Sequence, residues 1–486
     1  MSETTDPADV SPADAPPTYV APAEGKSGGR LVPAQYLYAF VLVTLLFPLW
    51  GFANDVTNPM VKAFQEIFQI KAGQASYIQF AFYGGYFTMA IPAALAIRKI
   101  SYKGGILIGL GLYATGALLF IPASIMMEFW LFCASLYILT FGLAFLETSA
   151  NPYILSMGPK ETATQRLNLA QAFNPLGSLT GMFVTSLLIL PALQVSDFRE
   201  QQVEAHPEYK KMKPAEVDGE ITAALKQFSV DEPERFGEMQ SYDLQQVRKP
   251  YVVIAIVVIC LAAVFAFSKM PDTGHKEEPI HLSQVLANLT TLRYLGGVIA
   301  QTFYVGAQIM CWTYILHYGM TMLGMSAGEA QGWNIRAMIT FVSCRFIGTF
   351  LLRFINSGLL LGVLAVGGVF ATAGVMFLEG MAGMYCLVGV SACMSIMFPT
   401  IYGIALDGLS ADDAKLGSAG LIVAIVGGAF MPLWNGRLID GPSRVLLGQS
   451  LESVQFAFIL SLGCFVVVAI YGFLVFAMES RRGATT

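Results

Sequence analysis

The sequence predicts an all-α integral membrane protein of twelve transmembrane helices, arranged as two pseudo-symmetric six-helix bundles with both termini cytosolic. Three observations predict it. The 486 residues are 55% hydrophobic and 13% charged, with a mean hydropathy of +0.60, whereas a soluble domain carries about 25% charged residues. Apolar segments long enough to cross a bilayer, which takes roughly 20 residues, recur along the chain at about 36–58, 76–97, 104–124, 129–155, 168–190, 250–268, 294–317, 333–354, 357–378, 382–406, 416–436 and 453–478. The two halves also repeat faintly. Gly142 precedes Pro152 by ten residues and Gly389 precedes Pro399 by the same ten, an offset of 247. The spans that follow open on Arg166 and Lys415 at an offset of 249. Repeats of this kind build a central site at their interface in many membrane carriers.

Taken in order, residues 1–33 are rich in Pro, Ala, Asp, Glu and Thr and have no apolar core, which reads as a disordered cytosolic tail and not as a secretory signal. Residues 34–269 form the first bundle. Its one large polar insertion, 194–249, carries 12 acidic and 8 basic residues. It lies between the fifth and sixth spans and so outside, as a small cap or a flexible excursion. No nucleophile–base pair or metal-ligand spacing appears in it. Residues 270–292 are a central cytosolic linker, 293–478 the second bundle and 479–486 a cytosolic tail. Orientation rests on Arg98, Lys99 and Lys103 in the loop RKISYKGG, with Arg166, Lys269, Arg353, Arg481 and Arg482 on the same side once the spans alternate. The positive-inside rule makes that side cytoplasmic.

The charge balance excludes some classes. A net charge of −5 argues against nucleic acid, which needs a basic patch. The seven cysteines all fall in apolar segments without a CxxC pair and behave as small hydrophobes. The four histidines lie in loops or at a span end, so neither a buried histidine relay nor a metal or haem centre is expected.

Glu147 is the sharpest single feature. It is the only charged residue between Glu128 and Lys160, inside the fourth span. An acid at membrane depth costs about 2.5–3.5 kcal/mol on insertion scales and marks a functional site by default. Either it is hydrogen-bonded glue between helices, or it binds a polar solute, a proton or both.

Other polar side chains fall at helical spacing. In the first span Asn54 and Asn58 share one face, Asp55 flanks it, and Pro59 ends or kinks the helix. The second span offers Gln79, Tyr83 and Tyr86. Asn151 stands one turn beyond Glu147, and Asn168, Gln171 and Asn174 form a stripe in the fifth span. Tyr304, Gln308 and Trp312 do the same in the seventh. Amides and hydroxyls both give and accept hydrogen bonds, and an aromatic face stacks on the C–H face of a sugar, so the set suits a small neutral polyol. Interhelical hydrogen bonding is the competing explanation for each residue alone, at roughly 0.6–2 kcal/mol per contact. Arg345 in the eighth span and Arg166 at the start of the fifth are expected to be structural or gating residues. Asp407 and Asp440, at helix ends, are expected to be solvated.

The strings FANDVTNP, IQFAFYGGYFTMAIPA, GLAFLETSANPYILSMGP, RLNLAQAFNPLGS, YVGAQIMCWTY and MFPTIYGIALDGL closely resemble the L-fucose/proton symporter family of the major facilitator superfamily. The resemblance covers about residues 35–190 and 250–478. It implies the major facilitator fold and alternating access, carrying a monosaccharide with a proton across a bacterial cytoplasmic (inner) membrane. In that family one acid in the fourth helix and one in the first are linked to sugar binding and proton movement. The former maps onto Glu147, and an amide position in the fifth maps onto Asn174, with Gln171 beside it. At the helix-one acid position this chain has Asn58, and Asp55 stands three residues earlier. The insertion 194–249 also exceeds the family's usual external loop.

The resulting expectation is a secondary active importer of L-fucose or a similar hexose. Glu147 and Asp55 couple protons, and Asn54, Asn58, Gln79, Tyr83, Asn151, Gln171, Asn174, Tyr304, Gln308 and Trp312 bind substrate. The coupling ion is H+, with Na+ as the alternative, and no other cofactor or metal is expected. The protein is expected to act as a monomer in the lipid bilayer. A sodium-coupled or uniporting carrier of glucose, galactose, mannose or N-acetylglucosamine is the second reading. A sugar-binding membrane sensor is the third, although the cytosolic segments are short for an output domain. An enzyme would need a catalytic pair that the spans lack.

Overall fold

The computed structural model describes residues 31–70, 74, 77–212, 214–271, 289–325, 327–439 and 441–483. Ten helical segments among them are long and apolar enough to cross a membrane. Two further long helices, Leu292–Leu323 and Ala327–Leu351, lie where the seventh and eighth spans are expected but are not among those ten. The linker 272–288, the tail 1–30 and Asp440 lie outside the described residues.

Prolines punctuate the spans, because each lacks the N–H that its helix would donate four residues back. The first span is α1 (Ala34–Thr44) and α2 (Phe47–Ile67), interrupted just before Pro48. Pro59 does not end the helix, since α2 runs on to Ile67. α3 (Tyr77–Ile100) is the second span. α4 (Tyr102–Leu118) and α5 (Phe120–Met126) make the third, and α6 (Phe129–Ser156) continues unbroken through Pro152. The fifth span divides into α7 (Ala163–Gln171) and α8 (Asn174–Val184), separated just before Pro175. α2 and α8 cross very closely. A Cβ on Gly51 would collide with the carbonyl oxygen of Asn174, and one on Gly177 with that of Pro48. The Asn174 amide also donates to the Phe47 carbonyl at 3.2 Å.

The insertion is helical. α9 (Gln194–Ala205) and α10 (Pro214–Asp231) lead into α11 (Pro233–Phe267), a 35-residue helix that carries the sixth span. Its start lies 17 residues before the expected 250 because Pro250 is accommodated inside the helix. The cap is fastened to the first bundle. The buried Asp243 carboxylate accepts the backbone N–H groups of Gln194 and Val195 at 2.7 and 3.0 Å. Arg199 pairs with Glu66 at 2.6 Å, and Gln240 donates to the Ile67 carbonyl. Phe228 packs between Phe198 and Phe236.

The remaining helices are α12 (Leu292–Leu323), α13 (Ala327–Leu351), α14 (Ser357–Phe377), α15 (Met381–Met394), α16 (Met397–Leu406), α17 (Ala411–Val423) and α18 (Gly427–Ile439). A two-stranded hairpin follows, β1 (Arg444–Leu446) antiparallel to β2 (Gln449–Leu451), then α19 (Ser453–Ala457) and α20 (Ile459–Gly483). α20 takes up much of what the sequence suggests is a tail from 479. Asp407 is not simply solvated, because Arg293 pairs with it and with Glu479, each at 2.7 Å.

Helices up to α11 pack chiefly on one another, as do those from α12 onward. The two groups meet along a seam where α17 lies on α3 and α6, α16 on α7, and α13 on α7 and α8. Asn168 donates to Thr400 Oγ1 at 3.1 Å and Gln165 to the Thr349 carbonyl at 3.1 Å. The Lys415 ammonium sits 5.3 Å from the Tyr102 ring centre. These contacts lie toward the end that carries the basic loop of Arg98, Lys99 and Lys103.

Candidate functional site

A cavity of about 140 Å³ lies between the two groups of helices. From α2 it receives Trp50, Asn54 and Asp55, from α3 Phe82, Tyr83 and Tyr86, from α6 Glu147, and from the fifth span Gln171, Asn174 and Ser178. The opposite wall is more apolar. It consists of Val305, Ile309, Trp312, Phe341, Phe398 and Ile425, with Gln308 and Arg345 as its polar members.

The spacing explains why these side chains converge. Trp50 and Asn54, and likewise Asn174 and Ser178, stand four residues apart and share a helix face. The tight α2–α8 crossing brings those two faces together. Asp55 is hydrogen-bonded by Ser178 from α8 and approached by the Asn54 amide at 3.5 Å. Glu147 is held by α3, where the Tyr86 hydroxyl donates to Oε1 at 2.9 Å. On the other wall Trp312 is fixed edge-on against Phe341, ring centres 4.9 Å apart, and its Nε1 donates to Ser391 Oγ at 3.3 Å. The site therefore presents two carboxyls, several amides and hydroxyls, and a broad aromatic surface. That arrangement can hold a small molecule with many hydroxyls and at least one hydrocarbon face.

Eight of the twelve residues expected to couple protons or bind substrate line this cavity: Glu147, Asp55, Asn54, Tyr83, Gln171, Asn174, Gln308 and Trp312. Two do not. Asn151 is fully buried behind the wall and accepts from Gln171 Nε2 at 3.0 Å, so its side chain orients a lining residue. Tyr304 is fully buried against the break between α15 and α16, where its hydroxyl donates to the Met394 carbonyl at 3.2 Å. Both amphipathic stripes were real, but the packing turned these members inward to other helices. Asn58 lies on α2 and Gln79 on α3, and their side chains are outside the described ones.

The two arginines part company. Arg166 stands away from the cavity, where its guanidinium gathers the carbonyls of Leu155 and Pro159, both at 2.8 Å, at the end of α6. Arg345 lines the cavity, with its Cζ 4.5 Å from the Phe341 ring centre. Trp50 and Ser178 were not singled out by sequence reasoning, although each sits one turn from a residue that was. The apolar lining of Phe82, Phe341 and Phe398 carries no signal that separates it from a lipid-facing surface.

Helices of spanning length around one central polar cavity define a membrane transporter. The Major Facilitator Superfamily family model matches residues 43–193. An L-fucose-proton symporter of Haemophilus influenzae is 48% identical over 446 residues, covering 91% of this chain and 98% of that protein. The L-fucose-proton symporter of Escherichia coli is 32% identical over 87% of this chain and 92% of that one, and a glucose/galactose transporter of Brucella abortus is 31% identical over 90% and 94%. A solved structure of the major facilitator transporter FucP in the outward conformation superposes with a TM-score of 0.75 at 31% identity, covering 90% of this chain and 99% of that one. The chain belongs to the L-fucose–proton symporter family of the major facilitator superfamily.

Proposed function

We propose that this protein imports a neutral monosaccharide, L-fucose or a close hexose relative, together with a proton by alternating access. The observation that carries the reading is the cavity itself, where two carboxyls share a wall with neutral hydrogen-bond partners and face Trp312 and Phe341. Among the described residues that line it Arg345 is the one cation, so no cluster of cations is offered to an anionic substrate. The relative that is 48% identical is named as an L-fucose-proton symporter, which supports the same reading.

In this reading α12 and α13 complete twelve spans, both termini are cytosolic, and the membrane is the bacterial inner membrane. The seam near the basic loop is then the closed cytoplasmic side, consistent with likeness to an outward conformation. Asp55 loads a proton from outside. Glu147, under the Tyr86 hydroxyl, carries it across as the cavity alternates. Asn54, Gln171, Asn174 and Gln308 bind hydroxyls, and Trp312 stacks on the sugar ring. A sodium-coupled hexose carrier is the second reading. It is favoured by the exchange of Asp55 and Asn58 and by the relative named as a glucose/galactose transporter.

Purified protein in liposomes, offered labelled hexoses under imposed proton or sodium gradients, tests both. Accumulation of L-fucose driven by a proton gradient is expected. Glu147→Gln should abolish that accumulation while sugar-for-sugar exchange survives, because the amide mimics the protonated acid. Accumulation persisting in that variant would remove Glu147 from the coupling role, and accumulation driven only by sodium would favour the second reading.

A further inference from the structure

In an α-helix the carbonyl of residue i receives the N–H of residue i+4, and proline has no N–H to give. Pro175 stands four residues after Gln171, and Pro399 four after Ser395. Both helices break at these places, the fifth span between α7 and α8 and the tenth between α15 and α16. Each break leaves a carbonyl inside the protein without its helical donor, one in each half of the molecule. A single side chain answers both. Arg345 donates from Nη1 to the Gln171 carbonyl at 3.0 Å and from Nε to the Ser395 carbonyl. Its own helix, α13, belongs to the second half, so the contact to Gln171 crosses the seam. The same device recurs nearby. Pro152 frees the carbonyl of Thr148, and the Ser418 hydroxyl from the opposite half stands 3.2 Å from it, while also lying 3.1 Å from the Lys415 carbonyl in its own turn.

Arg345 also lines the cavity, although it is only 3% exposed. Its guanidinium therefore has the seam on one edge and the substrate space on the other. A guanidinium offers five donors in one rigid plane and accepts nothing, so turning it to give Nη1 to a sugar hydroxyl oxygen withdraws that nitrogen from the Gln171 carbonyl.

We propose that Arg345 is a positioning residue that holds the seam closed by capping the proline-freed carbonyl of Gln171, and yields that cap to a hydroxyl of a neutral sugar in the cavity. The inference rests on the transport reading above and deepens it. The bound sugar loosens the seam by taking over a donor, and the carbonyl left behind is hydrated as the seam parts. Lysine could not replace arginine here, because a point ammonium lacks the fork that reaches two carbonyls at once.

Lys160 and Arg353 are exposed positions at the seam end, one in each half. Spin labels carried there on non-natural amino acids, in full-length protein in lipid nanodiscs, report the separation of the two halves. Without sugar, the parent should show mainly the short distance, and added L-fucose should populate a longer one. Arg345→Gln should raise the long-distance population at least tenfold without sugar. Pro175→Ala gives residue 175 an N–H for the Gln171 carbonyl and should shift the distances in the same direction with Arg345 intact. The double variant should shift no further than Arg345→Gln alone, since Pro175→Ala acts only through the Gln171 contact that Arg345→Gln already removes. If Arg345→Gln does not fold, Pro175→Ala decides alone. Unmoved distances in Pro175→Ala, or additive shifts in the double variant, overturn the proposal. Sugar uptake is scored on the same labelled variants reconstituted in liposomes. Normal uptake with unmoved distances sinks the latch and leaves the transport reading intact, whereas absent uptake with the expected shifts sinks the transport reading and supports the latch.

Discussion

At the scale of a residue, Glu147 is defined by what holds it. The Tyr86 hydroxyl donates to Oε1 of this carboxyl at 2.9 Å, and hydrogen bonds to charged groups contribute about 1.5–3 kcal/mol. Removing it with Tyr86→Phe keeps the ring and its packing against Phe82 but takes away support for the charged form of Glu147. Gradient-driven uptake should fall about tenfold, the equivalent of ~1.4 kcal/mol, with sugar exchange reduced less. Equal loss of both in liposome assays would instead place Tyr86 in sugar binding. Glu147 was legible in the sequence because a lone acid in an apolar span has few innocent explanations. Gln308 and Trp312 were legible because they stand one turn apart on a single face. Asn151 and Tyr304 share those periodicities but are consumed by Gln171 and by the Met394 carbonyl. A helical stripe shows which way a side chain points, and not whether a neighbouring helix or an open cavity waits there.

At the scale of elements, the crossing of α2 and α8 places Trp50, Asn54, Asp55, Asn174 and Ser178 around one space. It depends on backbones approaching where Gly51 and Gly177 have no side chain. Gly177→Ala would press a methyl group into the Pro48 carbonyl, and overpacking of this kind typically costs 1–3 kcal/mol. Thermal unfolding of the detergent-solubilised protein should show a clear loss of stability. Gly111→Ala, at a helical glycine with open space around it, should be neutral or stabilise by up to ~1 kcal/mol. Equal behaviour of the two variants would show that the crossing tolerates bulk. Spans were readable from hydropathy, yet their interruptions were not all readable from proline. Pro48, Pro175 and Pro399 mark breaks, whereas α6 passes Pro152 and α11 passes Pro250 without one. A neighbour serves the freed carbonyl both at the breaks before Pro175 and Pro399 and in the unbroken helix at Pro152, so proline alone does not decide where a span is interrupted.

At the scale of the whole molecule, the cap turns out to be built into the first bundle and not loosely tethered. Its mixed charges and lack of long apolar runs suggested only a small cap or a flexible excursion. Asp243, Arg199 and the Phe198–Phe228–Phe236 cluster supply the order, through long-range contacts that sequence periodicity does not reveal. Replacing residues 206–231 with a Gly/Ser linker, while keeping Arg199 and Asp243, should leave sugar exchange measurable, since the cavity draws no side chain from that segment. Loss of sugar binding in a folded, membrane-inserted variant would make the cap part of the site.

The long helix α11 has one more consequence. Its 35 residues extend about 52 Å at 1.5 Å per residue, well beyond a hydrocarbon core of ~30 Å. Small membrane proteins buried in a micelle offer few landmarks for aligning particle images. Here a stiff rod, clamped through Asp243 and Gln240, carries a folded cap out of the bilayer in fixed register with half of the molecule. An antibody fragment raised against α10 would inherit that rigidity and report the tilt of the first bundle directly in electron micrographs.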